Sequence, residues 1–472
     1  MPAPPRGVAV LDVGSTNTRL HLFDASLTLV AEESKPSRHA QGPPYRSIDP
    51  GPVLAFAARH LPRFDRLLPI DAVVVSAHGS SLALLDAEGH LALPVMAYTA
   101  EPPADIATAY TRIEPPFAEV GAPTNPGALT LGRQLLWQET LHPDAFARVR
   151  TILPYGQYIA HRLGGRPASE ITALGAQTHL IDIRSGDFSA LAKSRDWATR
   201  FAPVTPAWAQ IGTLTPGFRG AAFRGTGRVH TGIHDSSANF LRYAGTIPGR
   251  FTLLSTGTWI IGFDTGADIT ALNPAHDLVT NTRIDGAPIA ACRFMGGAEF
   301  AAIARDAPPS AATLAGTAPL ISAGTMALPS FTDSGGPAPG TGGIGRILGA
   351  ADTDAERASL AALYCAQMTA LSLQHLQGPT PSPRIIVDGP FAQNPVYLAC
   401  LAALLPGSTV ETSNLTNGTA AGAALLALAD NTGAIPSLPV ELTPVPPAHL
   451  PGLAAYHQTW RARARSHKEP SP

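Results

Sequence analysis

The sequence predicts an α/β protein of two domains that duplicate one design, and three observations carry that expectation. The stretches Val8–Asp24 and Phe251–Asp264 repeat one pattern: an apolar strand, a small polar turn and a second apolar strand. Short continuous apolar runs at Ala72–Ser76 and Ile385–Val387 read as buried strands, each delivering a polar loop at its C-terminal end. A chain of 472 residues is long enough for two full cores.

In the first hairpin, Gly14, Ser15, Thr16 and Asn17 interrupt the apolar pattern with turn chemistry. Such a turn presents backbone N–H groups and hydroxyls on a concave surface that suits phosphate oxygens. Asp12, ending the first strand, is then placed to hold a hydrated Mg2+ against those oxygens. Read alone, the stretch is also an ordinary hairpin whose Asp and Asn cap the turn. The second hairpin, with Ser255, Thr256, Gly257 and Thr258 at its turn, adds weight to the phosphate reading. A nucleotide lying between two such turns would have its phosphates gripped from both sides.

Between the hairpins, Leu27–Glu32 reads as a third strand, and Pro43, Pro44 and Pro50 mark a loop before a helix over 51–61. The run Ala72–Ser76 delivers Ala77-His78-Gly79-Ser80-Ser81 at the strand end where open α/β sheets bind ligands, so His78 and Gly79 are candidate substrate contacts. A satisfied structural histidine is the plain alternative. Leu82–Leu85 and Leu91–Pro94 flank Asp86–His90 as a further hairpin, followed by a polar tip at Tyr98–Glu101.

Gly225–Gly227 marks the expected crossing into the second domain, giving domains at 1–227 and 228–435 and a Pro-rich spacer with a short basic helix at 436–472. Asp235 stands directly before Ser236-Ser237-Ala238-Asn239 and, from its neighbours alone, reads as a helix N-cap. The Gly- and Pro-rich stretch 333–345 reads as a surface loop. Thr353 and Glu356 form a capping box for a long helix ending near Gln377. Asn394 and Pro395 are N-cap and first residue of a helix over 395–405, and small residues along 418–429 suit a closely packed helix. The terminal helix is expected to be solvated, with no function.

Hydrophobic residues make up 45% of the chain and charged residues 14%, which excludes a disordered or fibrous class. A net charge of -2 gives no electrostatic reason to expect nucleic acid or an anionic membrane. Cys292, Cys365 and Cys400 are widely separated, show no metal-ligand spacing, and read as buried small hydrophobes in a reducing compartment. The first strand begins almost at Met1, and the apolar run Thr419–Ala429 is too short to span a bilayer, so a cytoplasmic location is expected.

Together, Asp12–Asn17, His234–Ser237 and Gly257–Trp259 resemble the FGGY family of carbohydrate kinases. Between Gly127 and Phe188, the order of Trp137, Pro143, Leu153–Tyr155, Leu163–Gly165, Glu170–Thr172 and Thr178–Asp182 resembles the body of that family's N-terminal domain. The resemblance covers about residues 7–430. It implies two duplicated actin-like (ribonuclease H-like) ATPase domains with an interdomain cleft, and transfer of the γ-phosphoryl group of ATP to a sugar hydroxyl with Mg2+.

By position in the motifs, the resemblance implies that Asp235 is the general base and a sugar contact. It implies further that residues 14–17 and 255–258 hold phosphates, that Asp12 associates with the metal, and that His78 and Gly79 meet the sugar. Gly389 falls in the loop that passes adenine and ribose, and Asn394 at an adenine edge besides its capping role. Two departures stand out: Gln157 lies near where an acidic residue is common, and Pro390-Phe391 replaces consecutive glycines, which would narrow the purine pocket or alter nucleotide preference. The branch closest by motif is the rhamnulokinases and L-fuculokinases, implying the primary C1 hydroxyl of an L-ketose such as L-rhamnulose or L-fuculose. Pentulose, tetrulose and polyol kinases share the framework; a non-catalytic nucleotide or sugar sensor and an actin-like or chaperone-type ATPase are the alternatives from other classes. Sugar and ATP are the expected partners, without nucleic acid or membrane, and a homodimer is one possible assembly.

Overall fold

The structure is a computed structural model that describes residues 5–333, 336–413, 417–430 and 432–468. The chain folds into two compact units, the first drawn from residues 1–246, 280–288 and 417–438, the second from 247–279, 289–416 and 439–472.

The sheet of the first unit uses β1 (Gly7–Val13), β2 (Asn17–Asp24), β3 (Leu29–Pro36), β4 (Ile70–Ala77), β5 (Gln210–Thr213), β6 (Arg228–His230) and β7 (Ile233–His234) in the order β5-β6-β4-β1-β2-β3, with β7 also beside β4. β1 pairs antiparallel with β2 and parallel with β4. Alternation along β1 buries both faces. Val8 and Val10, with Ala72 and Val74 of β4, pack against Ala238, Leu241 and the run Ala420–Ala427. Ala9 and Leu11, with Val73 and Val75, pack against Phe56, Leu61 and Tyr158.

The second unit repeats the motif with β8 (Thr252–Thr256), β9 (Ile260–Asp264), β10 (Pro288–Phe294), β11 (Arg384–Asp388), β12 (Thr409–Ser413) and β13 (Leu442–Pro444), which run β10-β9-β8-β11-β12-β13. β8 stands to β9 and β11 as β1 stands to β2 and β4: one antiparallel and one parallel neighbour. This repetition is the duplication that the two hairpins announced.

Several expectations are corrected. The third strand begins at Leu29 and not Leu27, because Leu27 takes a left-handed conformation (φ 59°) in a turn whose Ser26 and Thr28 N–H groups both donate to Asp24 Oδ1. The helix expected over 51–61 runs from Gly51 to Leu67, through Pro62, since Phe64 and Asp65 are buried on its inner side. Leu82–Leu85 takes Thr151–Pro154 as its strand partner, while the expected hairpin closes over a short span, through the Leu85–Leu91 bridge and the Asp86 and Ala92 N–H groups donating to the His90 and Leu84 carbonyls. The compact units also divide the chain beyond residue 227, because the helices Asp235–Ala244 and Gly418–Leu425 both cover the sheet of the first unit. The terminal helix, Leu453–Ser466, is not simply solvated: Trp460 is fully buried and donates from Nε1 to the Ala327 carbonyl, and the Tyr456 hydroxyl donates to that of Thr325.

The capping box of Thr353 and Glu356 opens the helix Asp354–Gln377, and Asn394 caps Pro395–Leu404 by accepting from the Tyr397 N–H at 3.0 Å. The three cysteines are buried and free. Among the described residues, no helix is long and apolar enough to cross a membrane.

Candidate active site

In the first unit, parallel register sets the site. Asp12 lies opposite Ser76 on β4, and His234 of β7 lies opposite Ala77, so the C-terminal ends of β1, β4 and β7 deliver Asp12, His78 and Asp235 side by side. Gly232 allows this approach: its φ is +83°, and a Cβ there would stand 2.2 Å from the Val75 carbonyl oxygen. The chain then turns at His234 into the helix Asp235–Ala244, leaving Asp235 as the first helical residue and His234, not Asp235, at the N-cap position.

The electrostatics reflect this crowding. Burial pushes the Asp12 carboxyl up to about 7, helped by the charge of Asp235 and opposed by Arg19. Burial pushes His78 down to about 4, against the pull of Asp235 and with help from His234 and His39, so its ring is neutral at pH 7. The His78 ring stacks on Tyr155 at 5.4 Å and meets Tyr98 edge-on at 5.6 Å, while its buried Nδ1 has no protein partner. His78 also shares a cavity of ≈ 370 Å³ with Gly14, Lys35, Arg38, His39 and Tyr155. An oriented, neutral imidazole beside a cavity is a ready polar contact for a hydroxylated ligand.

Asp235 accepts from the Ser236 N–H at 2.6 Å and lies 3.2 Å from His234 Nε2. Burial lowers the His234 pKa, which favours a neutral ring able to donate from Nε2 to that carboxylate. Behind it, the His234 N–H donates to Thr172 Oγ1 at 3.1 Å, and that hydroxyl donates to Glu170 Oε2 at 2.5 Å. Glu170 is fully buried, accepts also from the Thr172 and Ala173 N–H groups, and has its carboxyl pushed up to about 7 by burial. A Cβ on Gly79 would stand 2.9 Å from the His234 ring, so Gly79 is a spacer against that ring. Glu170–Thr172 and His234–Ser237 entered the sequence reading only as motifs of resemblance; that they join into one chain was not read, because Glu170 before Thr172 locally reads as a cap.

The turn at 14–17 closes with the Gly14 N–H donating to the Asn17 carbonyl at 3.0 Å. Asn17 Nδ2 donates to Thr16 Oγ1, leaving the exposed Thr16 hydroxyl its proton for another acceptor. Ser37 braces the turn from β3's far end, donating from Oγ to the Gly14 carbonyl and from its N–H to that of Thr16.

In the second unit, Ser255 lies opposite Asp388, so β8 and β11 end together and bring the turn at 255–258 to Gly389. Gly389 is required there: its φ is +91°, and a Cβ would stand 2.1 Å from the Thr256 carbonyl oxygen. The Thr256 hydroxyl directs its proton to the Asp388 carbonyl at 2.5 Å and accepts from the Phe391 N–H at 3.1 Å. It has no proton left for a phosphate. The Gly257 N–H is likewise held by the Trp259 carbonyl, whereas Thr258 is exposed. Gly257, Thr258, Gly297, Phe300, Phe391 and Asn394 line a cavity of ≈ 450 Å³. Phe391 does not fill this space: it packs edge-on to Tyr397 at 4.9 Å and to Phe300 at 5.9 Å, forming a wall. Gly297 and Phe300, on the helix Gly296–Ala304, are lining residues that the sequence reading did not single out.

Models of two families of domains cover most of the chain: "FGGY family of carbohydrate kinases, N-terminal domain" over residues 8–241, and "Carbohydrate kinase FGGY, C-terminal domain" over 248–436. The chain belongs to the FGGY family of carbohydrate kinases. This FGGY chain is 28% identical over 265 residues to an L-fuculokinase of Salmonella typhi, an alignment covering 54% of it and 55% of the relative. An L-fuculokinase of Escherichia coli (strain K12) is 26% identical over 268 residues, with the same coverage. The chain thus spans about half the length of the curated relatives it matches. Among solved structures, it is similar to a carbohydrate kinase from Novosphingobium aromaticivorans, with TM-score 0.84 and 30% identity over 98% of this chain and 99% of that one. A xylulose kinase from Lactobacillus acidophilus shares the fold, with TM-score 0.80 and 16% identity over 98% and 97%. The join between the two FGGY matches, 241 to 248, coincides with the division of the compact units at 246 and not with the crossing expected at 227.

Proposed function

We infer that this FGGY chain is an ATP-dependent kinase that moves the γ-phosphoryl group to a primary hydroxyl of a small ketose, with Asp235 as general base. The observation that carries the reading is Asp235 itself: a partly exposed carboxylate at the end of β7, held by the Ser236 N–H and His234, beside Asp12 and His78. Phosphoryl transfer needs positioning and charge neutralisation more than covalent help, together with a carboxylate to orient and deprotonate the acceptor hydroxyl. In this assignment His78 and Gly79 meet the sugar, with Tyr98 and Tyr155 walling the histidine. The turns at 14–17 and 255–258 receive phosphates, except through the Thr256 hydroxyl. Gly389 and Asn394 border the nucleotide, with the Asn394 side-chain oxygen already committed to its helix cap.

Asp12 is the residue assigned to Mg2+. A carboxyl raised by burial and by a neighbouring carboxylate is an oxygen donor that a cation would favour, and no cluster of three or more ligating side chains occurs among the described residues. That donor set fits an ion that keeps waters and phosphate oxygens in its shell. Bound there, Mg2+ would neutralise phosphate charge.

The L-fuculokinase relatives and the motifs at Asp12–Asn17 and His234–Ser237 make an L-ketose, phosphorylated at C1, the first substrate class to test. The test is ADP release from Mg-ATP against L- and D-ketoses and polyols of four to seven carbons. A sugar-dependent signal that Asp235→Asn abolishes is expected. Silence across the panel, with ATP shown to bind, would sink the assignment in favour of a sensor.

A further inference from the structure

The terminal helix Leu453–Ser466 is anchored by Leu453, Tyr456 and Trp460, and this fixes where its basic residues point. Arg461 and Arg465, one helical turn apart, line a cavity of ≈ 300 Å³ together with Lys468 and two histidines, His276 and His375. His276 ends the turn Pro274–His276, where Nδ1 meets the Pro337 carbonyl at 3.0 Å; His375 lies in the last turn of Asp354–Gln377. The two imidazoles stack face to face, 3.8 Å between centroids and 10° between planes.

Five groups that carry or can take positive charge therefore converge from three separate stretches of chain, and no carboxylate lines the cavity. Asp277, next to His276, is committed to Arg293 Nε and the Gly336 N–H. Besides burial, the charges acting on His375 are His276, Arg461 and Arg465, and all hold it down, to about 4. Arg461 is lowered in turn by burial and by Arg465. Acidic residues slightly outnumber basic ones in this chain, 35 to 33, so the cluster is not a by-product of a basic composition. Like charges crowded around a cavity repel one another until a counter-charge arrives.

We propose that this cavity is a binding site for a phosphate dianion, either inorganic phosphate or the phosphoryl group of a small phosphorylated metabolite. Two guanidinium forks one turn apart match the oxygens of a phosphate, imidazole N–H groups add donors, and the volume sits at the small end of ligand pockets. None of the residues assigned to phosphoryl transfer lines it. The proposal therefore stands independently of the kinase reading. An arriving dianion stabilises protonated His375, so its titration moves upward from about 4.

The full-length protein titrated with inorganic phosphate at constant ionic strength in chloride tests the proposal, by calorimetry and by the C2–H resonances of the histidines. Saturable binding is expected, with the His375 titration moving upward by about one pH unit or more. Arg461→Gln/Arg465→Gln is expected to weaken binding at least tenfold. A ketose 1-phosphate that binds more tightly than inorganic phosphate through the same arginines identifies an esterified ligand; equal affinity identifies inorganic phosphate. Absence of saturable binding, or binding that survives in the double variant and so belongs to the phosphate turns, overturns the proposal. Should the double variant lose its fold, Lys468→Gln, on an exposed residue, must still weaken phosphate binding measurably.

Discussion

Asp235 combines two demands that ordinarily conflict, a fixed carboxylate and a reactive one, and its neighbours resolve them. The Ser236 N–H and His234 Nε2 hold one oxygen, Oδ1, while the side chain stays partly exposed. Asp235→Asn keeps the size and the helix start but cannot take a proton, so turnover should fall by about 10²–10⁴ while ATP binding persists, as checked by ADP release beside nucleotide titration. Glu170 acts at one remove, through Thr172 and His234. Its carboxyl is raised from 4.5 to about 7 by burial. Between those values the folded protein holds a proton that the unfolded chain has released, so stability is fullest below pH 4.5 and declines as pH rises through 7. Denaturant unfolding from pH 5 to 8 should show this contribution, of roughly 2 kcal/mol, as the difference between the wild type and Glu170→Gln, because Asp12, raised likewise, adds to the total and His78, held low, opposes it. Glu170→Gln should flatten the slope while lowering stability at pH 5, since an amide cannot accept from all three donors.

At the scale of elements, the helix that begins with Asp235 depends on another helix that begins at Gly418, far along the chain. Gly418–Leu425 lies so close to it that a Cβ on Gly422 would stand 1.8 Å from the Ala238 carbonyl oxygen. Gly422→Ala should therefore destabilise the protein by roughly 1–3 kcal/mol and reduce kcat more than it changes KM, because the strain falls on the helix carrying Asp235. The small residues along 418–429 announced close packing, and the sequence showed them plainly. Their destination was not legible, since small side chains carry no signal of which surface they approach. Hairpins, caps and strand ends were readable because each is written in a few consecutive residues: Gly14–Asn17, Thr353 with Glu356, Asn394 with Pro395. The link from Thr172 to His234 and the anchoring of Trp460 depend on partners more than sixty residues distant, and no local pattern marks them.

At the scale of the whole molecule, the first unit is assembled from three separated segments. One face of β1 and β4 is covered by Ala238, Leu241 and Ala420–Ala427, all beyond residue 227. A fragment ending at 227 should therefore bind a hydrophobic dye and show no cooperative melt, although it holds five of the sheet's seven strands, lacking only β6 and β7. Extension to 246 should leave the defect, since 417–438 is still missing. A sharp melt for the shorter fragment would show that the late segment is dispensable. The same segmentation sets a timetable for synthesis. Between the first segment and the last, the ribosome must add roughly 170 residues, about 10–30 s at ordinary elongation rates. Throughout that interval the strand bearing Asp12 and the helix bearing Asp235 exist without their cover, and the nascent chain presents an apolar sheet face to the cell. Yield in vivo should accordingly follow the supply of ribosome-associated chaperones more closely than the stability of the finished protein would suggest.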